Sequence, residues 1–196
     1  MLPVASSHRG QFWQPVSSTI VTQQPPTMPA RPRKLTAAEA RQLQQLIARS
    51  PGRKVIMEHT FRVNVPTFGS CLFVSVLDLS RGAPKLALHL VSNNRIVYTF
   101  PQPTWAQSWT LLEVKAVGFM ELNFDGGDSD IVLIADYTAG PSGPGTSPPF
   151  PVVLVYLTEE RGYVLDDEIS RILTRRRVAT IAKAEDIMRR EFQYLP

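Results

Sequence analysis

Thiol and imidazole groups are scarce in this chain of 196 residues, which has one cysteine, Cys71, and three histidines, His8, His59 and His89. A single thiol excludes an internal disulfide framework and any multi-cysteine zinc site. The chain contains no H-E-x-x-H and no G-x-S-x-G, and its glycine-bearing segment 138–151 has no lysine to complete a P-loop. The usual signatures of zinc proteases, α/β-hydrolases and phosphate-cradling loops are therefore missing. With no catalytic constellation in view, a non-catalytic protein is expected. Long apolar runs are absent too: none reaches the roughly 20 residues that a membrane span requires. Residues 1–7 lack the apolar core of a secretory signal, so neither a membrane span nor a leader is expected.

Acid is missing from the first 34 residues, which hold Arg9, Arg31, Arg33 and Lys34. Of 21 basic and 17 acidic residues the rest of the chain carries 17 of each, so the net charge of +4 belongs to one segment. A neutral body has no excess to set against many phosphates, and nucleic acid is not an expected partner. A hydrophobic fraction of 43% is ordinary for a globular chain. The length suits one compact domain of about 150 residues with a tail.

That tail, residues 1–35, contains Pro3, Pro15, Pro25, Pro26, Pro29 and Pro32. Proline removes backbone donors and locks φ, which predicts an extended or disordered arm. Two readings follow, a solvated terminus or a binding arm. The second draws on Phe12, Trp13, Val16, Ile20 and Val21, which are costly to leave in water. In that reading Phe12, Trp13, Ile20 and Val21 enter partner pockets, and Arg31, Arg33 and Lys34 meet an acidic surface.

The next segment, 36–52, opens on a capping box, Thr36-Ala37-Ala38-Glu39, and closes at Pro51-Gly52. Its narrow stripe of Leu43, Leu46 and Ile47 predicts a helix packed on the surface of the domain. From residue 53 to 196 the pattern is β-rich. Strands are expected over 54–63, 70–79, 85–91, 95–100, 110–123, 130–137, 152–157 and 162–165, with Ser92-Asn93-Asn94 turning a hairpin. Pro101 and Pro103 break the ladder. Two helices close the chain, one led by Asp166-Asp167-Glu168 and one capped by Thr180. The expected class is α+β: a predominantly antiparallel twisted sheet with one N-terminal and two C-terminal helices and an extended N-terminal arm.

Between two strands lies Asn123-Phe124-Asp125-Gly126-Gly127-Asp128-Ser129-Asp130. Asn123, Asp125, Asp128 and Asp130 offer the oxygen ligands a hard cation needs, spaced by glycines that let a loop wrap an ion. An Asp-Gly hairpin turn explains the same residues. With the flanking runs Leu111-Leu112-Glu113-Val114-Lys115-Ala116-Val117 and Ile131-Val132-Leu133-Ile134-Ala135-Asp136-Tyr137, the segment resembles bacterial proteins of the FG-GAP or VCBS-like type. Those carry a D-x-D-G-D-G-x-x-D loop between two strands of a propeller-blade-like sheet. The resemblance extends over roughly residues 54–193. It implies blade-like strands, export and calcium binding, without an assigned chemistry. The loop here is one residue short and lacks the acid expected after Gly126, with Asp128 as a substitute. Losing a carboxylate and loop length together should weaken calcium binding.

Two further segments carry functional readings. The loop 138–151, rich in glycine and proline, is long for a compact domain, and contact with a protein partner stands beside plain disorder. Phe150 is its candidate contact residue. The triplet Arg175-Arg176-Arg177, with Arg171, Lys183, Arg189 and Arg190, looks like a basic patch. Residues 159–193 nevertheless hold eight bases and eight acids, so solvated ion pairing along the helices is expected. Cys71 and His89, on apolar strands, are expected to be buried. The function expected from all of this is a non-catalytic interaction or assembly protein that docks its arm onto a multi-subunit protein complex. A small exported calcium-binding domain is the alternative.

Overall fold

The computed structural model describes residues 31–80, 82–122, 130–139 and 147–194. It is α+β, with two antiparallel sheets stacked face to face and helices on both outer faces. The first sheet contains β1 (Arg33–Lys34), β2 (Arg53–Val55), β3 (Phe61–Val65), β4 (Gly69–Asp78), β5 (Lys85–Ser92) and β6 (Arg95–Thr99), in the order β1-β3-β4-β5-β6 with β2 also on β4. The second contains β7 (Trp109–Met120), β8 (Asp130–Ala139), β9 (Phe150–Glu159) and β10 (Gly162–Leu165), in the order β10-β9-β8-β7. The chain crosses from one sheet to the other through Pro101, Pro103 and a 3-10 turn at Thr104–Ala106. Prolines that cannot extend a ladder thus mark the place where the strands divide into two layers.

Pattern explains each layer. In β4, Cys71 and Phe73 enter the core between the sheets, while Leu72, Val74 and Val76 face helix α1 (Ala37–Ala48). A strand buried on both faces must be apolar without alternation, as the runs in β4, β8 and β9 are. Ile131, Leu133, Val152, Leu154 and Tyr156 complete the inner core against Leu88, Leu90 and Phe100. On the far side Val132, Ile134, Val153 and Val155 lie under α2 (Asp167–Arg175) and α3 (Ile181–Phe192).

Local signals hold in detail. The Thr36–Glu39 capping box is formed, and Asp166 and Thr180 cap α2 and α3. Leu43 and Ile47 of α1 are buried on the sheet, so the narrow stripe is the contact face. Ser92 pairs with Arg95 around Asn93 and Asn94, whose φ values of 50° and 58° suit the two-residue hairpin. Cys71 is fully buried, and that burial pushes its thiol up to about 11.

The strand expected over 54–63 is interrupted. β2 and β3 both pair with β4, separated by a 3-10 turn at Met57–His59. Buried hydroxyls replace the missing ladder bonds: Ser75 Oγ donates to the His59 carbonyl at 2.7 Å and Thr60 Oγ1 to the Ile56 carbonyl at 2.9 Å. Among the described residues no helix is long and apolar enough to cross a membrane.

Candidate functional site

Phe12, Trp13, Ile20 and Val21 lie outside the described residues. The root of the arm is described, and it is part of the sheet. Arg33 pairs with Arg62 and Lys34 with Phe61, in the β1–β3 ladder. Two guanidinium nitrogens of Arg33 donate to the Glu39 carboxylate, each at 3.0 Å, and Arg62 Nε donates to Glu39 Oε1 at 2.6 Å. The Arg33 hydrogen bonds, with those from Thr36 and Arg62, pull the Glu39 carboxyl down to about 2. Lys34 donates to the Glu58 carbonyl and sits 4.2 Å above the Phe61 ring. Of the three cations expected to meet a partner, Arg33 and Lys34 are thus bonded to the body, and Arg31 is exposed.

Of the four oxygen ligands named in the Asp-Gly loop, Asn123, Asp125 and Asp128 lie outside the described residues. Asp130 is fully buried. Its Oδ2 accepts from the Leu122 amide and its Oδ1 from the Thr158 amide, both at 2.7 Å. The carboxyl group therefore ties the exit of β7 and the end of β9 to the start of β8, with a backbone amide on each oxygen. Among the described residues no group of three or more His, Cys, Asp or Glu side chains is placed to hold a metal ion.

Phe150 begins β9 and meets a cluster that sequence reasoning missed. Its ring lies edge-on to Trp109 at 4.9 Å, and Trp109 touches Trp105 at 5.5 Å and Tyr137 at 6.5 Å. The 3-10 turn carries Trp105, and Trp109 begins β7 opposite Ala139, so the aromatics close one end of the sandwich. Helix α2 passes the same end. A concavity of about 280 Å³ is lined by Trp105, Trp109, Arg171, Thr174 and Arg175. The base of the 138–151 loop also lies here, where Ser147 Oγ donates to the Ala139 carbonyl at 3.1 Å; residues 140–146 lie outside the described set. One signal could have revealed the site: two tryptophans four residues apart, just after Pro101 and Pro103. Amphipathic indoles so spaced often mark contact surfaces.

The basic run is mostly paired within the last two helices. Arg171 meets Asp167 at 2.9 Å, Arg176 meets Glu191 at 2.7 Å, Lys183 meets Asp186 at 3.2 Å, Arg189 meets Glu185 at 3.4 Å and Arg190 meets Asp186 at 2.7 Å. This is the solvated pairing expected of a charge-balanced segment. Arg175 is exposed and has no ion pair among the described residues.

His89 is buried, with Nδ1 3.0 Å from Thr99 Oγ1 and, among the described residues, no partner for Nε2. Burial lowers its pKa, and desolvation lowers that of His59 as well. No protein-family model, curated protein or solved structure matches the chain.

Proposed function

We propose that the protein is a non-catalytic interaction module, which presents its N-terminal arm to a protein partner in a larger assembly. The observation that supports this reading is the anchoring of β1. Arg33 and Lys34 join the sheet edge and are held by Glu39 and Glu58. An arm that leaves from a fixed point and a fixed direction loses less freedom when it docks than one on a loose tether. Phe12, Trp13, Ile20 and Val21 then supply the apolar anchors, and Arg31 carries the free charge at the exit. Ordering of the arm is offset by the large area an extended segment can wrap.

The test is a matched affinity capture with the full chain, a chain lacking residues 1–30, and the Phe12→Ala/Trp13→Ala variant. Partners retained by the full chain alone, from variants whose thermal unfolding is unchanged, are the expected result. Equal retention by all three overturns the reading.

A further inference from the structure

The tryptophan–arginine concavity is built from residues of the β-rich body. The geometry points to an extended peptide of a protein partner, bearing an Asp or Glu carboxylate beside one bulky apolar side chain, as its occupant. The walls are already arranged for such a guest. Asp167 accepts from the Trp105 indole N–H through Oδ1, and its Oδ2 lies 2.9 Å from Arg171 Nε as an ion pair without hydrogen-bond geometry, so one carboxylate fixes the indole and answers the guanidinium charge. Arg171 also lies 5.8 Å from the Trp105 ring centroid. Trp109 packs against Phe150, Tyr137 and Trp105, which hold its ring on three sides. Preorganised aromatic walls reduce the ordering cost of binding.

The polar groups of the concavity differ in what they have left to give. The Thr174 hydroxyl is spent on the amide of Val153 at 2.9 Å. The charge of Arg171 is answered by Asp167. Arg175 alone among these residues has no ion pair among the described residues, while Arg176 beside it is bound to Glu191. Two indole faces select an apolar side chain, and the Arg175 fork selects a planar carboxylate within reach of the same peptide. The opening, about 280 Å³, suits a side chain and its neighbour rather than a folded surface. Nucleic acid fits less well. Asp167 stands behind the wall, bonded to its Trp105 and paired with its Arg171, and the body of the chain has no net positive charge to neutralise a run of phosphates.

A library of random peptides is panned against the full chain and, in parallel, against Arg175→Glu. Selected peptides are then titrated into isotopically labelled protein, and the three indole N–H signals are assigned from Trp105→Phe and Trp109→Phe. The expected result is enrichment of Asp or Glu next to a bulky apolar residue, with the Trp105 and Trp109 signals shifting and that of Trp13 unmoved. Arg175→Gln should weaken the selected peptide about tenfold, and Arg175→Glu should weaken it further, with melting temperature unchanged. Replacing the peptide's acid by its amide should cost a similar factor. Four outcomes overturn the inference: no peptide retained, no acidic enrichment, the same peptides from Arg175→Glu, or indole shifts driven more strongly by a single-stranded oligonucleotide. Loss of arm-dependent capture leaves this result untouched, so the two readings fail separately.

Discussion

The ring of Tyr98 stands where a side chain at position 162 would be. A Cβ built on Gly162 falls inside contact distance of Tyr98 Cε2 and Cζ, and Gly162 itself has φ of 145°. The Tyr98 hydroxyl donates to the Tyr163 carbonyl at 2.7 Å and accepts from the Tyr163 amide at 3.0 Å. A residue on β6 thereby joins the edge of one sheet to β10, the edge of the other. Gly162→Ala should cost about 2–4 kcal/mol, from strain in a glycine-favouring conformation and from the displaced ring. Tyr98→Phe keeps the ring but strands two backbone groups, for about 1–2 kcal/mol. Chemical denaturation of both variants measures the difference, and a neutral Gly162→Ala contradicts the arrangement.

Asp130 makes a prediction that separates structural from metal-binding use. Replacing a buried acceptor of two amides by Ala leaves both unsatisfied, at about 1–3 kcal/mol each. Asp130→Ala should therefore lower stability by the same amount in chelator and in calcium. A loss seen only in the presence of calcium would instead assign Asp130 to an ion, and calorimetry with Asp125→Ala would follow it.

Glu39 couples the arm root to pH. Its carboxyl sits at about 2 when folded, against 4.5 ordinarily. A depressed acid stabilises the fold fully above its unfolded pKa, and that contribution fades as pH falls from about 4.5 towards 2. The melting temperature of Glu39→Gln should lie below that of the parent at pH 7, and the gap should close over this acidic window. Thr36→Ala removes the other half of the capping box and should cost about 1 kcal/mol. A pH-independent gap for Glu39→Gln contradicts the charge-assisted role.

His89 titrates in the opposite sense to a partnered histidine. Burial without a partner for Nε2 depresses its pKa below the ordinary 6.5. Above that value both states are neutral; below it the unfolded chain takes up the proton more readily, so stability declines as pH falls. In proton spectra the His89 ring should titrate below the range of an exposed histidine. The fall in melting temperature between pH 7 and 5 should be shallower in His89→Leu than in the parent. His59, whose pKa is also lowered, supplies part of the remaining slope.

Much of the fold was legible because its signals are local. Thr36 with Glu39, Asp166 and Thr180 mark helix starts through hydrogen bonds within three residues. Asn93-Asn94 supplies the positive φ values that a tight hairpin requires. Apolar runs at 71–74, 131–135 and 152–156 announced buried strands. The interruption at Met57–His59 was hidden, since its compensation comes from Ser75 on another strand. The candidate site was half legible: Phe150 and the arginine-rich helix stood out, but Trp105 and Trp109 did not.

The amino-acid sequence by itself determined the α+β class, the helix starts, the charge asymmetry of the arm and the burial of Cys71. Periodicity, capping and composition act over a few neighbouring residues and need no partner from elsewhere in the chain. Tertiary packing alone decided that the strands form two sheets, that Asp130 serves the amides of Leu122 and Thr158, and that Trp105 meets Asp167 across 62 residues. Those pairings depend on which apolar faces bury one another, a sum over the whole chain that brings distant polar groups together as a consequence.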